Sequence, residues 1–281
     1  MRWVTASPLW AWHNEPLRLI RPRGTRRGIP LRAVMPNAVT ALALCFGLTG
    51  VRFAFSGEWE KAVGAIVVAG ILDGLDGRVA RLLKAESRFG AELDSLSDVI
   101  AFGVSPAVVL FLWTLQYIPK YGWVIALAHA VCCALRLARF NSQIDSEFQP
   151  HKSAGFLTGV PAPAGAGMTL LPIMLWMALG DADLPVIQDI VSRTYIVAPW
   201  TLFIAFLMIS DLATYGWSSF RLRREYRLPA LLLIGLIGAA LLTAPWATLS
   251  AVTIAYTLAI PLAVRSYARV KRRRAAERTA N

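Results

Sequence analysis

The chain has few charged residues for its length. Of its 281 residues, 16% are charged and 56% are hydrophobic, whereas soluble domains carry about 25% charged residues. This composition argues against a soluble enzyme and favours a membrane protein. The net charge of +12 would suit nucleic-acid binding, but most basic residues lie in a few clusters outside the apolar segments. That distribution is typical of a polytopic membrane protein, so nucleic acid is not expected as a partner.

Cysteine and histidine are also scarce. The three cysteines, Cys45, Cys132 and Cys133, all lie in apolar runs. We expect them to be small buried hydrophobic residues, because they lack the spacing of a zinc site or of a disulfide framework. The three histidines are scattered and form no HxxxH pair or Cys/His cluster. A histidine-based metal site is therefore not expected.

Long apolar segments are abundant. A helix needs about 20 mostly apolar residues to cross a bilayer, and eight segments are candidates. They cover residues 34–55, 62–83, 96–118, 123–140, 164–179, 196–212, 229–244 and 249–264. No cleavable signal peptide is recognisable, because the first 33 residues are basic, interrupted by proline and without a long apolar core. The predicted fold class is all-α, a polytopic bundle of about eight transmembrane helices.

The basic clusters predict the orientation of these helices. They comprise Arg2, Arg18, Arg21, Arg23, Arg26, Arg27 and Arg32; Arg221, Arg223, Arg224 and Arg227; and Arg265, Arg269, Lys271, Arg272, Arg273, Arg274 and Arg278. The opposite connections offer only Lys61, Lys120 and Arg193. The positive-inside rule therefore predicts both termini, and the connection 84–93, on the cytoplasmic side of the cell membrane. The basic tail can also contact anionic lipid headgroups.

Four aspartates interrupt this background in "ILDGLDGRVARLLKAESRFGAELDSLSD", residues 71–98. Asp73 and Asp76 are three apart and Asp94 and Asp98 are four apart, so each pair lies on one helix face. At roughly 2.5–3.5 kcal/mol each at the bilayer centre, four unpaired carboxylates would cost on the order of 10 kcal/mol. A position near the interface and a bound cation reduce this cost. Oxygen ligands suit Mg²⁺ or Mn²⁺, and two facing pairs can hold two ions, as in phosphoryl-group chemistry.

Small and basic residues beside the aspartates fit an anionic diphosphate. Gly74, Gly77 and Ala80 keep the second helix thin, and Arg81 follows one turn later, where its guanidinium can bind phosphate bidentately. Helix packing is the alternative for the glycines, and it is favoured for the glycines alone. Interface anchoring is the alternative for Arg81. Because intramembrane carboxylates are functional by default, the four aspartates together favour a site.

The full spacing reads D-x2-D-G-x2-A-R-x8-G-x3-D-x3-D. It is filled by Asp73, Asp76, Gly77, Ala80, Arg81, Gly90, Asp94 and Asp98. This pattern resembles the signature of the CDP-alcohol phosphatidyltransferases at every fixed position. The resemblance implies a homodimeric helical membrane bundle around a polar cavity open to the cytoplasm. It also implies transfer of a phosphatidyl or phospho-alcohol group from a CDP-linked lipid to an acceptor alcohol, with release of CMP.

The same resemblance implies roles for individual residues. Two divalent cations, Mg²⁺ or Mn²⁺, would be held by Asp73, Asp76, Asp94 and Asp98. Asp98 would also be the base toward the acceptor hydroxyl. CDP-diacylglycerol would be bound by Asn37 and Thr40 of "PNAVT" and by Gly74, Gly77, Arg81 and Ser105.

Three further motifs resemble the phosphatidylserine synthase branch of that family. They are "ALRLARFN", ending at Asn141, "FLTGVPAPAGA", residues 156–166, and "LMIS" followed by "SSFR". One departure is "GVPAPAGAG", where members often have "GLPxPAAA". The branch implies L-serine as the acceptor and phosphatidylserine as the product.

Residues for the serine follow from the chemistry of these motifs. Arg136 and Arg139, at the cytoplasmic end of the fourth helix, can bind a carboxylate, and Asn141 can bind the amine or cap the helix. Interface anchoring remains the alternative for both arginines. Other acceptors (glycerol phosphate, inositol or choline) and a membrane transporter remain as alternative functions.

The domain organisation follows from these segments. We expect a basic amino-terminal segment (1–33), a phosphatidyltransferase core (34–225), two additional transmembrane helices (226–264) and a basic tail (265–281). A transporter is disfavoured, because the carboxylates lie near one end of two adjacent helices and the motif has no second copy.

Overall fold

A computed structural model describes residues 31–144, 156–210, 212–215 and 226–280. The predicted basic clusters before residue 31 and at 221–224 lie outside these residues. The α-helices in chain order are α1 (Leu31–Phe55), α2 (Trp59–Leu82), α3 (Arg88–Asp98), α4 (Ser105–Trp113), α5 (Gly122–Ile144), α6 (Ala162–Thr169), α7 (Leu171–Asp181), α8 (Pro185–Ser192), α9 (Thr194–Ile209), α10 (Arg227–Thr243) and α11 (Pro245–Ala280). A π-helix, Val99–Val104, joins α3 to α4, and a 3₁₀ turn, Leu115–Tyr117, follows α4. The predicted helical class is confirmed.

Two short strands add a feature that the sequence did not predict. Strand β1 (Phe156–Thr158) pairs antiparallel with β2 (Ala213–Tyr215), and Leu157 lies opposite Thr214. The ladder joins the connection after α5 to the connection after α9. Beyond it, the amide of Gly159 donates a hydrogen bond to the carbonyl of Leu212 (2.8 Å). Gly159 has φ +73, a conformation that glycine adopts without strain.

The local sequence explains where the first helices end. Gly57, at φ +72, makes the turn between α1 and α2. Ser87 begins α3, because its hydroxyl accepts a hydrogen bond from the amide of Gly90 (3.0 Å). This cap turns the chain back, so that α3 follows α2 after a short connection, residues 83–87. The cap therefore brings the second pair of aspartates back toward the first.

The number of membrane-spanning helices is only partly established. Within the described residues, four continuous helical segments are long and apolar enough to cross a membrane: 34–55, 88–113, 122–142 and 245–269. Two bent pairs, α6 with α7 (48°) and α8 with α9 (54°), raise the number to six. Helix α2 is not among them, since its second half carries several charged residues, and α10 is only 17 residues long. Several apolar helices agree with an integral membrane protein, and eight spans remain a prediction.

The hydrophobic core lies in two clusters along the bundle. One contains Leu110, Trp113 and Ile173, and the other contains Phe102 and Met208. Inside a bilayer, these side chains stabilise the bundle by van der Waals packing, since lipid is as apolar as the core itself. The second cluster surrounds the π-helix, immediately beyond Asp98. The aspartates therefore lie at the edge of a closely packed region.

Candidate active site

Helices α2 and α3 bring the four aspartates of the sequence motif together. Asp73, Asp76 and Asp94 each offer a carboxylate oxygen, and these three oxygens lie within 4.8 Å of one another. The carboxyl groups of Asp73 and Asp98 lie close enough to interact electrostatically. Carboxyl groups approach this closely only when protons or cations reduce their repulsion. The four residues thus form one cluster, which we call the aspartate cluster.

The donor set of the aspartate cluster fits a divalent metal ion. Asp76 is 5% exposed, and its Oδ2 accepts a hydrogen bond of 2.6 Å from the hydroxyl of Thr40. In the described part of the chain, the ion pairs are Lys61–Glu58 and Arg193–Asp189, and neither touches the cluster. All the candidate ligand atoms are carboxylate oxygens, which Mg²⁺ and Mn²⁺ prefer. A cation is therefore the natural partner of these side chains.

A cavity of about 290 Å³ opens beside the aspartate cluster. It is lined by Pro36, Asn37, Thr40, Asp76, Gly77, Ala80, Arg81, Ala85, Glu86, Ser87, Gly90, Ala91 and Asp94. Ligand pockets in proteins start at about 300 Å³, so the cavity suits a small ligand or one end of a larger one. Asp76, Asp94 and Arg81 border the same space, which can therefore hold an anion between a metal and a guanidinium.

Most of the residues predicted to bind CDP-diacylglycerol border this cavity, and two do not. Asn37, Thr40, Gly77 and Arg81 are among its lining residues. Gly74 is exposed outside it, with open space where a Cβ would be. Ser105 is completely buried, and its hydroxyl donates to the carbonyl of Ile100 (2.9 Å). Those two residues therefore lie outside this cavity, and their roles remain predictions.

Sequence reasoning missed the residues that close one wall of the cavity. Ala85, Glu86 and Ser87 come from the connection between α2 and α3, which the motif spacing treats as variable. The sequence feature that indicates this wall is the helix-capping Ser87, followed three residues later by Gly90. A Cβ at Gly90 would lie 2.8 Å from Oδ1 of Asn37, so glycine permits the close approach of α3 to α1.

The hydrogen bonds around α3 hold the aspartates in place. The hydroxyl of Ser97 donates to the carbonyl of Thr40 on α1 (3.3 Å). The side-chain amide of Asn141 on α5 donates to Oγ of Ser95 (2.9 Å). Asn141, which the sequence associates with the serine amine, thus contacts the helix that carries Asp94. Its role in the described fold is to fix α5 against α3.

The two predicted serine-binding arginines have different surroundings. Arg139 donates from Nη1 to the carbonyl of Ile209 (2.9 Å) and from Nη2 to that of Ser210 (3.3 Å), at the end of α9. These carbonyls lack intrahelical partners, so Arg139 fixes the end of α9. Arg136 interacts electrostatically with Asp98, and its buried Nε has no hydrogen-bond partner. Arg136 is thus the arginine coupled to the aspartate cluster.

Comparison with known proteins agrees with this site. The model of the CDP-alcohol phosphatidyltransferase family matches residues 33–209, and that of CDP-alcohol phosphatidyltransferase 2 matches residues 225–261. The first match covers more than half of the chain, and it includes the whole aspartate cluster and every cavity residue. The chain therefore belongs to the CDP-alcohol phosphatidyltransferase family, a family of phosphotransferases.

Several relatives have the name CDP-diacylglycerol–serine O-phosphatidyltransferase. The Mycobacterium bovis protein is 39% identical over 246 residues, which cover 88% of this chain and 82% of the relative. The Mycobacterium leprae protein is 37% identical over 244 residues, covering 87% and 78%. The Bacillus subtilis protein is 33% identical over 157 residues, covering 53% of this chain and 83% of the relative.

Proposed function

We propose that this protein makes phosphatidylserine and CMP from CDP-diacylglycerol and L-serine. The observation that carries the proposal is the aspartate cluster at the edge of a cavity that Thr40 and Arg81 also line. An oxygen-only metal site beside a guanidinium suits a diphosphate. The names of relatives that match most of the chain support serine as the acceptor.

The chain's own residues supply binding, orientation and proton transfer. Mg²⁺ or Mn²⁺, held by Asp73, Asp76, Asp94 and Asp98, would neutralise the diphosphate when bound. Arg81 binds the phosphates bidentately, and Thr40 orients Asp76 through its hydrogen bond. Their common effect is to fix the diphosphate at one place in the cavity, beside α2.

Asp98 then acts as the general base in the chemical step. It takes the proton of the serine hydroxyl as the serine oxygen forms a bond to the lipid-side phosphorus. The bond from that phosphorus to the bridging oxygen of CMP breaks, and CMP leaves with the electron pair. Attack in line with the leaving oxygen requires the serine on the Asp98 side of the diphosphate. Arg136, which interacts with Asp98, would then lie on the side of the serine.

Arg136 is our candidate for the group that binds the serine carboxylate. A buried guanidinium nitrogen without a partner costs about 1–3 kcal/mol, and a substrate carboxylate would satisfy it. Asp98 and Arg136 would then contact opposite ends of the serine, its hydroxyl and its carboxylate. Arg139 supports this arrangement indirectly, because its hydrogen bond to Ile209 holds the end of α9 against α5.

The two arginines should respond differently to the same substitution. Arg136→Lys replaces a planar fork by a point charge, and loss of a charged hydrogen bond costs about 1.5–3 kcal/mol. We expect the KM for serine to rise roughly 10- to 150-fold while the KM for CDP-diacylglycerol changes little. The matched control, Arg139→Lys, should lower thermal stability and leave the KM for serine within about threefold. If only the Arg139 variant raised that KM, the carboxylate site would belong to Arg139.

The direct test of the function is product analysis with a panel of acceptors. Detergent-purified protein is incubated with CDP-diacylglycerol, Mg²⁺ or Mn²⁺, and serine, glycerol 3-phosphate, inositol or choline, and the lipid products are identified by mass spectrometry. Phosphatidylserine and equimolar CMP are expected from serine alone. A different lipid product would support the transferase activity but show that the acceptor is not serine. The absence of any CMP release would overturn the proposal.

We propose further that the termini and the aspartate cluster face the cytoplasm, in the cell membrane, and that the protein is a homodimer. The arginine clusters motivate the orientation. In a background with the native cysteines replaced by alanine, a cysteine added after Asn281 should resist a membrane-impermeant thiol reagent in intact cells, and Lys120→Cys should react. The reverse labelling pattern would invert the topology. Light scattering of the purified protein would test the dimer, and a monomer mass would exclude it.

A further inference from the structure

Another cavity, of about 550 Å³, lies at the end of the bundle away from the aspartate cluster, and we call it the far cavity. Its lining includes Trp59, Trp113, Tyr117, Trp176, Asp189 and Arg193. Asp76 lies 17 residues after Trp59, the first residue of α2, which corresponds to about 25 Å along the helix. The hydrocarbon core of a bilayer is about 30 Å thick. An active site at one membrane surface therefore places the far cavity near the other surface.

The walls of the far cavity are aromatic and are held by contacts between helices. The rings of Trp113 on α4 and Trp176 on α7 meet edge to face, with their centroids 6.0 Å apart. The hydroxyl of Thr114 donates a hydrogen bond to the carbonyl of Ser192 (2.9 Å), which joins the end of α4 to the end of α8. The volume lies within the range of ligand pockets in proteins, about 300–1,000 Å³. The far cavity is therefore a preformed space of ligand size.

One ion pair at the far cavity keeps hydrogen-bonding capacity for a ligand. Arg193 donates from Nε (3.1 Å) and from Nη2 to Oδ2 of Asp189. Within the described residues, Nη1 of Arg193 and Oδ1 of Asp189 make no hydrogen bond. Both side chains are more than half exposed, Arg193 by 55% and Asp189 by 58%. The pair thus offers a donor for an anionic group directly beside an acceptor for a cationic group.

A ligand that carries both a phosphate and an ammonium group matches this pair. A lone anion would be repelled by Asp189, and a lone cation would be repelled by Arg193. A guanidinium binds phosphate oxygens, a carboxylate accepts hydrogen bonds from an ammonium group, and Trp and Tyr rings attract the same ammonium group. The headgroup of an ethanolamine phospholipid has both charges, separated by two carbon atoms. The charges of the far cavity therefore favour a zwitterionic headgroup.

Helix α8 indicates that the ligand comes from the membrane. Three of its apolar side chains are exposed, Val186 (73%), Ile187 (48%) and Ile190 (45%), while Asp189 of the same helix lines the far cavity. A bend of 54° separates α8 from α9. A helix with one apolar and one polar face lies in the membrane interface, where acyl chains cover its apolar face. Trp and Tyr are enriched at the same level, so the far cavity opens among lipid headgroups.

We propose that the far cavity binds the headgroup of a zwitterionic ethanolamine phospholipid, with the phosphate on Arg193 and the ammonium group on Asp189, between the aromatic walls. The bound lipid would hold α8 against the ends of α4 and α7. This inference does not depend on the proposed reaction, because no residue of the aspartate cluster takes part in it.

The test measures lipid binding to the full-length protein after purification and delipidation in detergent. Dioctanoyl phosphatidylethanolamine, dioctanoyl phosphatidylglycerol and water-soluble glycerophosphoethanolamine are titrated separately, and the bound molecules are counted by native mass spectrometry. We expect the ethanolamine lipid to bind at least about tenfold more tightly than either of the others, because phosphatidylglycerol lacks the ammonium group and glycerophosphoethanolamine lacks the acyl chains.

Two substitutions and two matched controls assign the binding to the far cavity. Arg193→Gln and Asp189→Asn should each weaken binding of the ethanolamine lipid at least about tenfold, because each loses one charged hydrogen bond. The controls are Lys61→Gln and Glu58→Gln, which alter another exposed ion pair that does not line the far cavity. Both controls should bind the lipid as the parent does.

The outcomes decide the inference in each case. Equal binding of the two dioctanoyl lipids, or unchanged binding in both far-cavity variants, would overturn it. Glycerophosphoethanolamine that bound as tightly as the lipid would overturn the membrane source. If a variant of the ion pair did not purify, Tyr117→Leu at an exposed wall position would decide, with several-fold weaker binding expected and unchanged binding contradicting the inference. Failure of the protein to make phosphatidylserine would overturn only the proposed function.

Discussion

Replacing Asp94 by asparagine is expected to lower turnover at least about 100-fold in a protein that inserts and purifies normally. Loss of even an outer-shell partner of a metal costs about 10- to 100-fold, and Asp94 would contact the metal directly in the proposed site. Asparagine keeps the size of the side chain and removes its charge. Because Asp94 approaches Asp73 and Asp76, the change also relieves repulsion and should not destabilise the metal-free protein.

Two measurements and one control test this prediction. CMP release gives the turnover, and thermal unfolding with and without Mn²⁺ should show that stabilisation by the metal is reduced in the variant. Asp181→Asn, at the exposed end of α7, is the control and should be fully active. Chelation should abolish activity of the parent, and Mg²⁺ or Mn²⁺ should restore it, unlike Ca²⁺ with its looser coordination. Turnover within a few-fold of the parent in Asp94→Asn would refute the metal site.

Replacing Asp98 by asparagine should lower kcat about 10²- to 10⁴-fold, the usual contribution of a general base. The physical reason is that asparagine cannot accept the proton of the serine hydroxyl. In the parent, kcat should decrease at low pH as the base becomes protonated, and this decrease should disappear in the variant.

The pH profile separates the two proposed roles of Asp98. A loss of kcat with the acidic limb unchanged would mean that Asp98 serves the metal only and that another group takes the proton. The KM for CDP-diacylglycerol is expected to change less than kcat, since in the proposed site Arg81 and a cation on the remaining aspartates would still hold the diphosphate. Asp98→Asn with near-normal turnover would contradict both roles.

The sequence predicted the helical class and the positions of most helices, because apolar length alone determines them. Each predicted segment overlaps a helix or a bent pair. The bends themselves were missed, since Leu170 and Arg193 break their helices through local geometry that hydropathy does not describe. The π-helix was missed too. Its sequence signal is Pro106, which cannot supply the N–H that an α-helix would offer to the carbonyl of Phe102.

The site was also predicted only in part, because contacts between separate helices are not visible in the sequence. Helical spacing places Asp73 with Asp76 and Asp94 with Asp98, and the structure brings members of both pairs together. Spacing cannot show which basic side chains already donate hydrogen bonds to backbone carbonyls. Arg136 and Arg139 are equivalent as sequence, and only the carbonyls at the end of α9 distinguish them. The roles of the individual residues remain predictions that the substitutions above test.

The glycines of the cavity have a consequence for inhibitor resistance. A methyl group at Gly77 would meet nothing within 4 Å and would take up cavity space, which in the proposed site holds part of CDP-diacylglycerol. A methyl group at Gly90 would instead collide with Asn37. If the proposed site is correct, a larger residue at either position would weaken binding of the natural substrate as well as of the inhibitor. An inhibitor confined to this volume should therefore select few resistant variants that still release CMP.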